Sequence, residues 1–151
     1  MYLFFEDKKI VLVSKNSIDG YSSFLKIAYP ILTHLKLPST LFICPGFLLE
    51  KETRGKLGIL SGESFLDLAC LRAMCQHRNI TIGAHSFDHI DYSKSSISEI
   101  NLDIEKLVSF FNDNFMDIPN SFAYPQGRFN NAADGIVTQT FPHRLSTIGG
   151  I

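Results

Sequence analysis

His85 and His89 stand four residues apart, just past the apolar run Ile80-Thr81-Ile82-Gly83-Ala84. Imidazole is the commonest side-chain metal ligand, and two at this spacing can turn toward one ion if the residues between them begin a helical turn. One carboxylate added to the pair makes a three-ligand set with an open position for water, as in hydrolytic zinc centres. The spacing alone admits a second reading, two histidines with structural roles. Order along the chain adds context. Asp19-Gly20 follows the run Ile10-Val11-Leu12-Val13, and the turn Pro125-Gln126-Gly127 follows Ser121-Phe122-Ala123-Tyr124. Each polar cluster therefore trails a short apolar segment.

Those segments predict the elements that must position the site. Ile10–Val13, Ser39–Cys44, Ile80–Ala84, Ser121–Tyr124 and Arg144–Ile148 have the length and apolar, β-prone character of buried strands. Between them, Tyr21 to Leu35 carries Phe24, Ile27, Ala28, Ile31, Leu32 and Leu35 at three- and four-residue steps, an amphipathic helix that tolerates or kinks at Pro30. Ser64 to His77 is a second helix. Ile97 to Phe115 is a third, opened by the capping-box spacing Ser96-Ile97-Ser98-Glu99. Asn131 to Gln139 is a last one, and Glu50 to Gly62 is a loop. Strands alternating with helices imply α/β architecture with a largely parallel sheet or barrel, whose sites lie at the carboxyl ends of the strands. No repeat or linker interrupts the pattern, so residues 1–151 read as one domain.

The composition narrows the partners. The chain has 151 residues with 14 Lys+Arg against 15 Asp+Glu, a net charge of −1, and 45% hydrophobic residues. That suits a globular domain and gives no basic face for nucleic acid or an anionic membrane. No apolar run approaches the roughly 20 residues of a membrane helix. The N-terminus places Glu6 and Asp7 where an export signal needs basic residues, so a cytoplasmic location is expected. Cys44, Cys70 and Cys75 read as reduced thiols. His34 and His77 sit near helix ends, where capping explains them. Lys51 to Lys56 is a solvated loop.

Taken together, Asp19-Gly20, His85-Ser86-Phe87-Asp88-His89 and Phe122-Ala123-Tyr124-Pro125-Gln126-Gly127 resemble the ordered motifs of the polysaccharide deacetylase (NodB-homology, carbohydrate esterase family 4-like) domain. Those motifs run Thr-Phe-Asp-Asp-Gly, then His-Ser/Thr-x-x-His, then Arg-Pro-Pro-Tyr-Gly or Phe-Ala-Tyr-Pro-Phe-Gly. The text between them is similar too, so the resemblance extends from Lys9 to Gly150.

What the resemblance implies is a metal-dependent hydrolase that removes acetyl groups from an N-acetylated or O-acetylated carbohydrate. Asp19, His85 and His89 would hold a divalent ion, Zn²⁺ by preference. Gln126 would give its backbone N–H to the tetrahedral oxyanion, a donor worth about 2.7–4 kcal/mol. Phe87, Tyr92 and Tyr124 would lie near enough to the rim to stack on a sugar. Two departures matter. Ile18 stands where the family has its general base, a group worth about 10²–10⁴ in rate. Asp88 is the weak substitute, its alternative role a cap or turn acceptor. The late Leu-x-His acid has no counterpart, since His143 precedes the last strand. The implied enzyme is weakened, or, as the alternative, an inactive relative that binds metal and carbohydrate or a protein partner. The family's distorted (β/α) barrel would be incomplete at this length, with an open side for a second copy of the chain or a further segment to cover.

Overall fold

The computed structural model describes residues 2–6, 9–13, 20–49, 65–115 and 117–146. The chain forms two compact units, Met1–Ile82 and Gly83–Ile151.

The first unit opens with a hairpin. Strands β1 (Tyr2–Glu6) and β2 (Lys9–Val13) pair antiparallel, from Tyr2 opposite Val13 to Glu6 opposite Lys9. The strand expected at Ile10–Val13 is present, but its partner is unexpected. Tyr2-Leu3-Phe4-Phe5 is a β-prone aromatic and aliphatic run, and it pairs before any helix intervenes.

The helix expected from Tyr21 to Leu35 is split. Phe24–Ala28 forms a π-helical turn and Tyr29–His34 the α-helix α1, with Pro30 in its first turn. Proline has no N–H and its ring clashes with the carbonyl four residues back, so the wider turn lets the chain pass it. The extra residue also rotates the apolar face. Phe24 and Leu32 are buried, whereas Ile27, Ile31 and Leu35, expected on the same face, are more than half exposed. Lys36, at φ 52°, closes α1. The N–H of Leu37 reaches the Leu32 carbonyl at 2.9 Å and that of Lys36 the Thr33 carbonyl at 3.1 Å, a Schellman stop.

Strand β3 (Ser39–Ile43) is almost wholly buried and leads into the short α2 (Pro45–Leu49). Beside β3 runs the start of β4 (Ile80–Ala84), tied by Ser39 N–H to the Asn79 carbonyl at 2.8 Å. Helix α3 (Leu68–Cys75) begins later than the expected Ser64. Asp67 caps it by accepting from the Cys70 N–H at 2.7 Å. Phe65 and Leu66 are drawn off by the preceding chain, Phe65 stacking on Tyr21 and Leu66 donating to the Gly20 carbonyl. Gly20 has φ 82°, and a Cβ there would meet Leu48 at 3.1 Å, so the position suits glycine on both counts.

In the second unit the last residues of β4 run parallel to β5 (Ser121–Ala123), with Ala84 opposite Phe122. Strand β5 in turn runs parallel to β6 (His143–Leu145). Among the described residues β6 has no further strand beyond it, so this parallel sheet is open rather than closed into a barrel. Helix α4 (Ile97–Phe115) starts at the expected capping box: Ser96 N–H donates to Glu99 at 2.7 Å and Glu99 N–H returns to Ser96 Oγ at 3.3 Å. Its buried face is Ile100, Asp103, Ile104, Leu107, Phe110 and Phe111. Helix α5 (Asn131–Val137) is capped by Asn130, which accepts from the Ala133 N–H at 2.9 Å. No helix among the described residues is long and apolar enough to cross a membrane.

Candidate active site

Strand β4 delivers His85 directly into the interior, where it is 2% exposed. Its Nδ1 lies 2.7 Å from the Ala123 carbonyl of β5. A carbonyl only accepts, so Nδ1 carries the proton and Nε2 keeps the lone pair. Burial, and secondarily the neighbouring His89, push the His85 pKa down to about 3, against the pull of the Ala123 bond. Burial lowers His89 as well. The two rings meet edge to face at 5.1 Å between centroids. Two neutral imidazoles, one with its tautomer fixed by a backbone carbonyl, have the donor chemistry of a divalent-metal site. On that test the residues fit.

The segment between them is sharply bent. Ser86 has φ 65° and His89 φ 56°, both in the left-handed region that costs a non-glycine residue about 1–2 kcal/mol. Ser86 Oγ accepts from the Ile90 N–H at 3.1 Å and donates to Asp103 at 3.0 Å, joining the two ends of the bend. The same Asp103 carboxylate accepts from the N–H groups of Phe87 at 2.9 Å and Asp88 at 3.0 Å, and from the Tyr92 hydroxyl at 2.7 Å. Asp103 is 3% exposed. Burial raises its pKa, and these donors pull it back. Sequence reasoning missed this residue, although the signal was there: a carboxylate on the apolar face of a capped helix, between Ile100 and Leu107.

The turn after β5 is built differently. Pro125–Gly127 is a single tight turn in which Gln126 has φ 56° and Gly127 φ 70°. It is closed by Gly127 N–H to the Tyr124 carbonyl at 2.8 Å and Arg128 N–H to the Pro125 carbonyl at 3.1 Å. Ser146 Oγ ties down the Gly127 carbonyl at 2.7 Å. Pro125 and Gly127 are buried while Gln126 between them is exposed.

The three aromatics expected to face a sugar do not. Tyr92 is 0% exposed and its hydroxyl is spent on Asp103. Phe87 is buried beneath Lys106, whose Nζ sits 5.2 Å from the ring centre. Tyr124 is buried, stacked on Phe129 at 4.6 Å, and donates to Asp134 at 2.7 Å. Their expected role as a stacking platform is thus corrected: all three are packing residues. Asp88, the substitute base, pairs with Lys106 at 2.6 Å, which commits its carboxylate to an ammonium. His143 is exposed at the start of β6. Asp19 and Ile18 lie outside the described residues. Among the described residues no group of three metal-ligating side chains gathers.

Comparison with known proteins places this geometry. The polysaccharide deacetylase family profile matches residues 6–140, and the chain belongs to that family. Among solved structures it is similar to the Streptococcus pyogenes deacetylase PplD in complex with acetate, at 21% identity over 81% of this chain and 49% of that one, TM-score 0.67. It is also similar to IcaB from Ammonifex degensii, at 20% identity over 82% of this chain and 54% of that one, TM-score 0.66. A third is BA3943 from Bacillus anthracis, a CE4 family pseudoenzyme, at 19% identity over 96% of this chain and 46% of that one, TM-score 0.65. The chain thus spans about half the length of these structures. At such identities the likeness establishes the fold: α/β, with a parallel sheet that among the described residues does not close into a barrel. No curated protein matches the chain.

Proposed function

We propose that the chain is a metal-dependent deacetylase acting on an acetylated carbohydrate. Deacetylases of this family act on acetylated carbohydrates and are generally metal-dependent. The observation that supports the reading here is the buried, neutral His85–His89 pair, with His85 Nδ1 held by the Ala123 carbonyl. His85 and His89 would hold the ion, and Asp19 would add the carboxylate that the family resemblance assigns to it. A bound Zn²⁺ supplies Lewis acidity and makes water more acidic. The protein's own part is to keep both imidazoles unprotonated, which burial does, and to aim His85, which the Ala123 carbonyl does. Gln126 would offer its backbone N–H to the oxyanion that develops on the acetyl carbonyl, from a turn whose backbone is already in place. Acetate release from acetylated sugar oligomers, with and without chelator, tests the proposal. Chelator-sensitive release is expected. No release from protein shown to hold zinc overturns it.

A second reading is favoured by Ile18, which cannot accept a proton. In it the chain keeps the metal site and has lost turnover. BA3943 is described as a pseudoenzyme, and a mutant of it has restored enzymatic activity. Ile18→Asp separates the two readings: a rise of about 10²-fold or more in acetate release, the range a general base supplies, marks a lapsed site. Full activity in the unaltered protein rules the lapsed reading out.

A further inference from the structure

We propose that Asp103 is the positioning residue of the histidine segment: its carboxylate, carried on the buried face of α4, holds Ser86, Phe87 and Asp88 in the bend that sets His85 and His89 edge to face. The role assigned to the pair rests on the metal-centre reading above; the clamp itself does not.

The donors decide it. Three consecutive residues, Ser86, Phe87 and Asp88, each direct a hydrogen to one carboxylate, between 2.9 and 3.1 Å. Successive residues of an extended chain point to opposite sides, so such convergence needs a tight bend around a single acceptor. Tyr92 supplies the fourth donor from beyond the segment at 2.7 Å. Both oxygens are used: Oδ1 accepts from Ser86, Phe87 and Asp88, and Oδ2 from Phe87 and Tyr92. The carboxylate sits on the buried face of the helix, which Ile100, Ile104 and Leu107 share, and the helix is locked at its start by Ser96 and Glu99. One turn further on, Lys106 of the same helix grips Asp88 at 2.6 Å from a half-exposed position, a second and outer tie to the segment.

An amide is the discriminating replacement. Asp103→Asn keeps size and shape, yet puts an N–H₂ against the Phe87 N–H whichever oxygen it replaces, facing Tyr92 as well at Oδ2 or Ser86 and Asp88 at Oδ1. A backbone N–H cannot turn round to accept, so that contact is lost outright. The full chain carrying Asp103→Asn is compared with the unaltered protein by amide hydrogen exchange and by titration with Zn²⁺ and Co²⁺. Expected is a tenfold or greater loss of protection at Phe87, extending to Asp88 when the amide nitrogen replaces Oδ1, with α4 still protected. Zn²⁺ affinity should fall about 10–100-fold, as when an outer-shell partner of a ligand is removed. The visible spectrum at saturating Co²⁺ should change, which a mere loss of global stability would not produce. Lys106→Met, which removes only the outer tie, should weaken Zn²⁺ no more than about threefold, as fits an exposed ion pair. Protection and affinity unchanged in Asp103→Asn overturn the proposal. If the unaltered protein takes up no Zn²⁺, the metal reading fails, and the clamp is judged on Phe87 and Asp88 exchange alone. Should Asp103→Asn fail to fold, Ser86→Ala removes one donor and the bridge to Ile90. Faster exchange at Ile90 with weaker Zn²⁺ binding supports the clamp, and no change in either overturns it.

Discussion

The histidine segment and the Pro125–Gly127 turn both follow a strand of one parallel sheet, and both place non-glycine residues in left-handed backbone. They are held in opposite ways. Ser86 and His89 keep their conformation because a buried side chain from another element, Asp103, accepts the hydrogens of the bend. Gln126 keeps its conformation mainly through neighbouring backbone, with proline ahead of it, glycine behind it, and two bonds closing the turn. The difference matches what each would deliver under the proposed function. Two imidazoles must meet at a fixed separation, which asks for anchoring from outside the segment. A single N–H needs only a backbone frozen in place, which a turn does by itself.

The largest effect should come from the histidine side of that comparison. His85→Ala removes one of two nitrogen donors and leaves the Ala123 carbonyl without its partner. Zn²⁺ affinity measured by calorimetry is expected to fall by well over about 100-fold, beyond what loss of an outer partner costs. Chelator-sensitive acetate release should disappear with it. Retained affinity would mean that the pair is structural.

The same residue sets a pH dependence that the turn lacks. In metal-free protein His85 titrates at about 3, below the value of 6.5 that it has when unfolded. The unfolded chain therefore takes up a proton first as pH falls, so stability is full above about 6.5 and is lost downward toward about 3. At 1.36 kcal/mol per unit the loss approaches about 4–5 kcal/mol at the bottom of that window. Urea unfolding with chelator present, from pH 7 to pH 4, should show this slope in the unaltered protein. His85→Ala should flatten it, leaving the smaller share that buried His89 contributes. Equal slopes in both would remove His85 as its source.

Legibility in the sequence followed the same division. Signals that act locally were readable: the Ser96–Glu99 capping box, the apolar strands β3 and β4, and the Pro125-Gln126-Gly127 turn all formed where residue type and spacing put them. The bend from His85 to His89 and the turn at Gln126 follow β4 and β5 where their short, contiguous motifs put them. What failed depended on partners far along the chain. Asp103 acts on residues about 16 positions away, and only its odd place on an apolar helix face betrays it. Tyr92 and Tyr124 were near the site in sequence, but sequence does not say which way a ring points, and both point inward. The start of α3 moved from Ser64 to Asp67 because Phe65 and Leu66 had other partners.

On the turn side, Gln126→Pro removes both the N–H and the left-handed backbone that presents it, whereas Gln126→Gly keeps both. Proline removes the donor and cannot adopt φ 56°. Acetate release should fall by about 10²–10³-fold, the worth of one oxyanion donor, with Zn²⁺ affinity nearly unchanged. Parallel losses of both would show that the turn and the histidine segment are not separable. Glycine keeps the N–H and removes the strain of the left-handed residue. That relief of about 1–2 kcal/mol is offset by glycine's greater freedom when unfolded, which takes back about 0.5–1 kcal/mol. Gln126→Gly should therefore be more stable in urea unfolding by up to about 1.5 kcal/mol, with turnover retained. A loss of stability instead would mean that the Gln126 side chain, and not the turn's backbone, holds this end of the sheet.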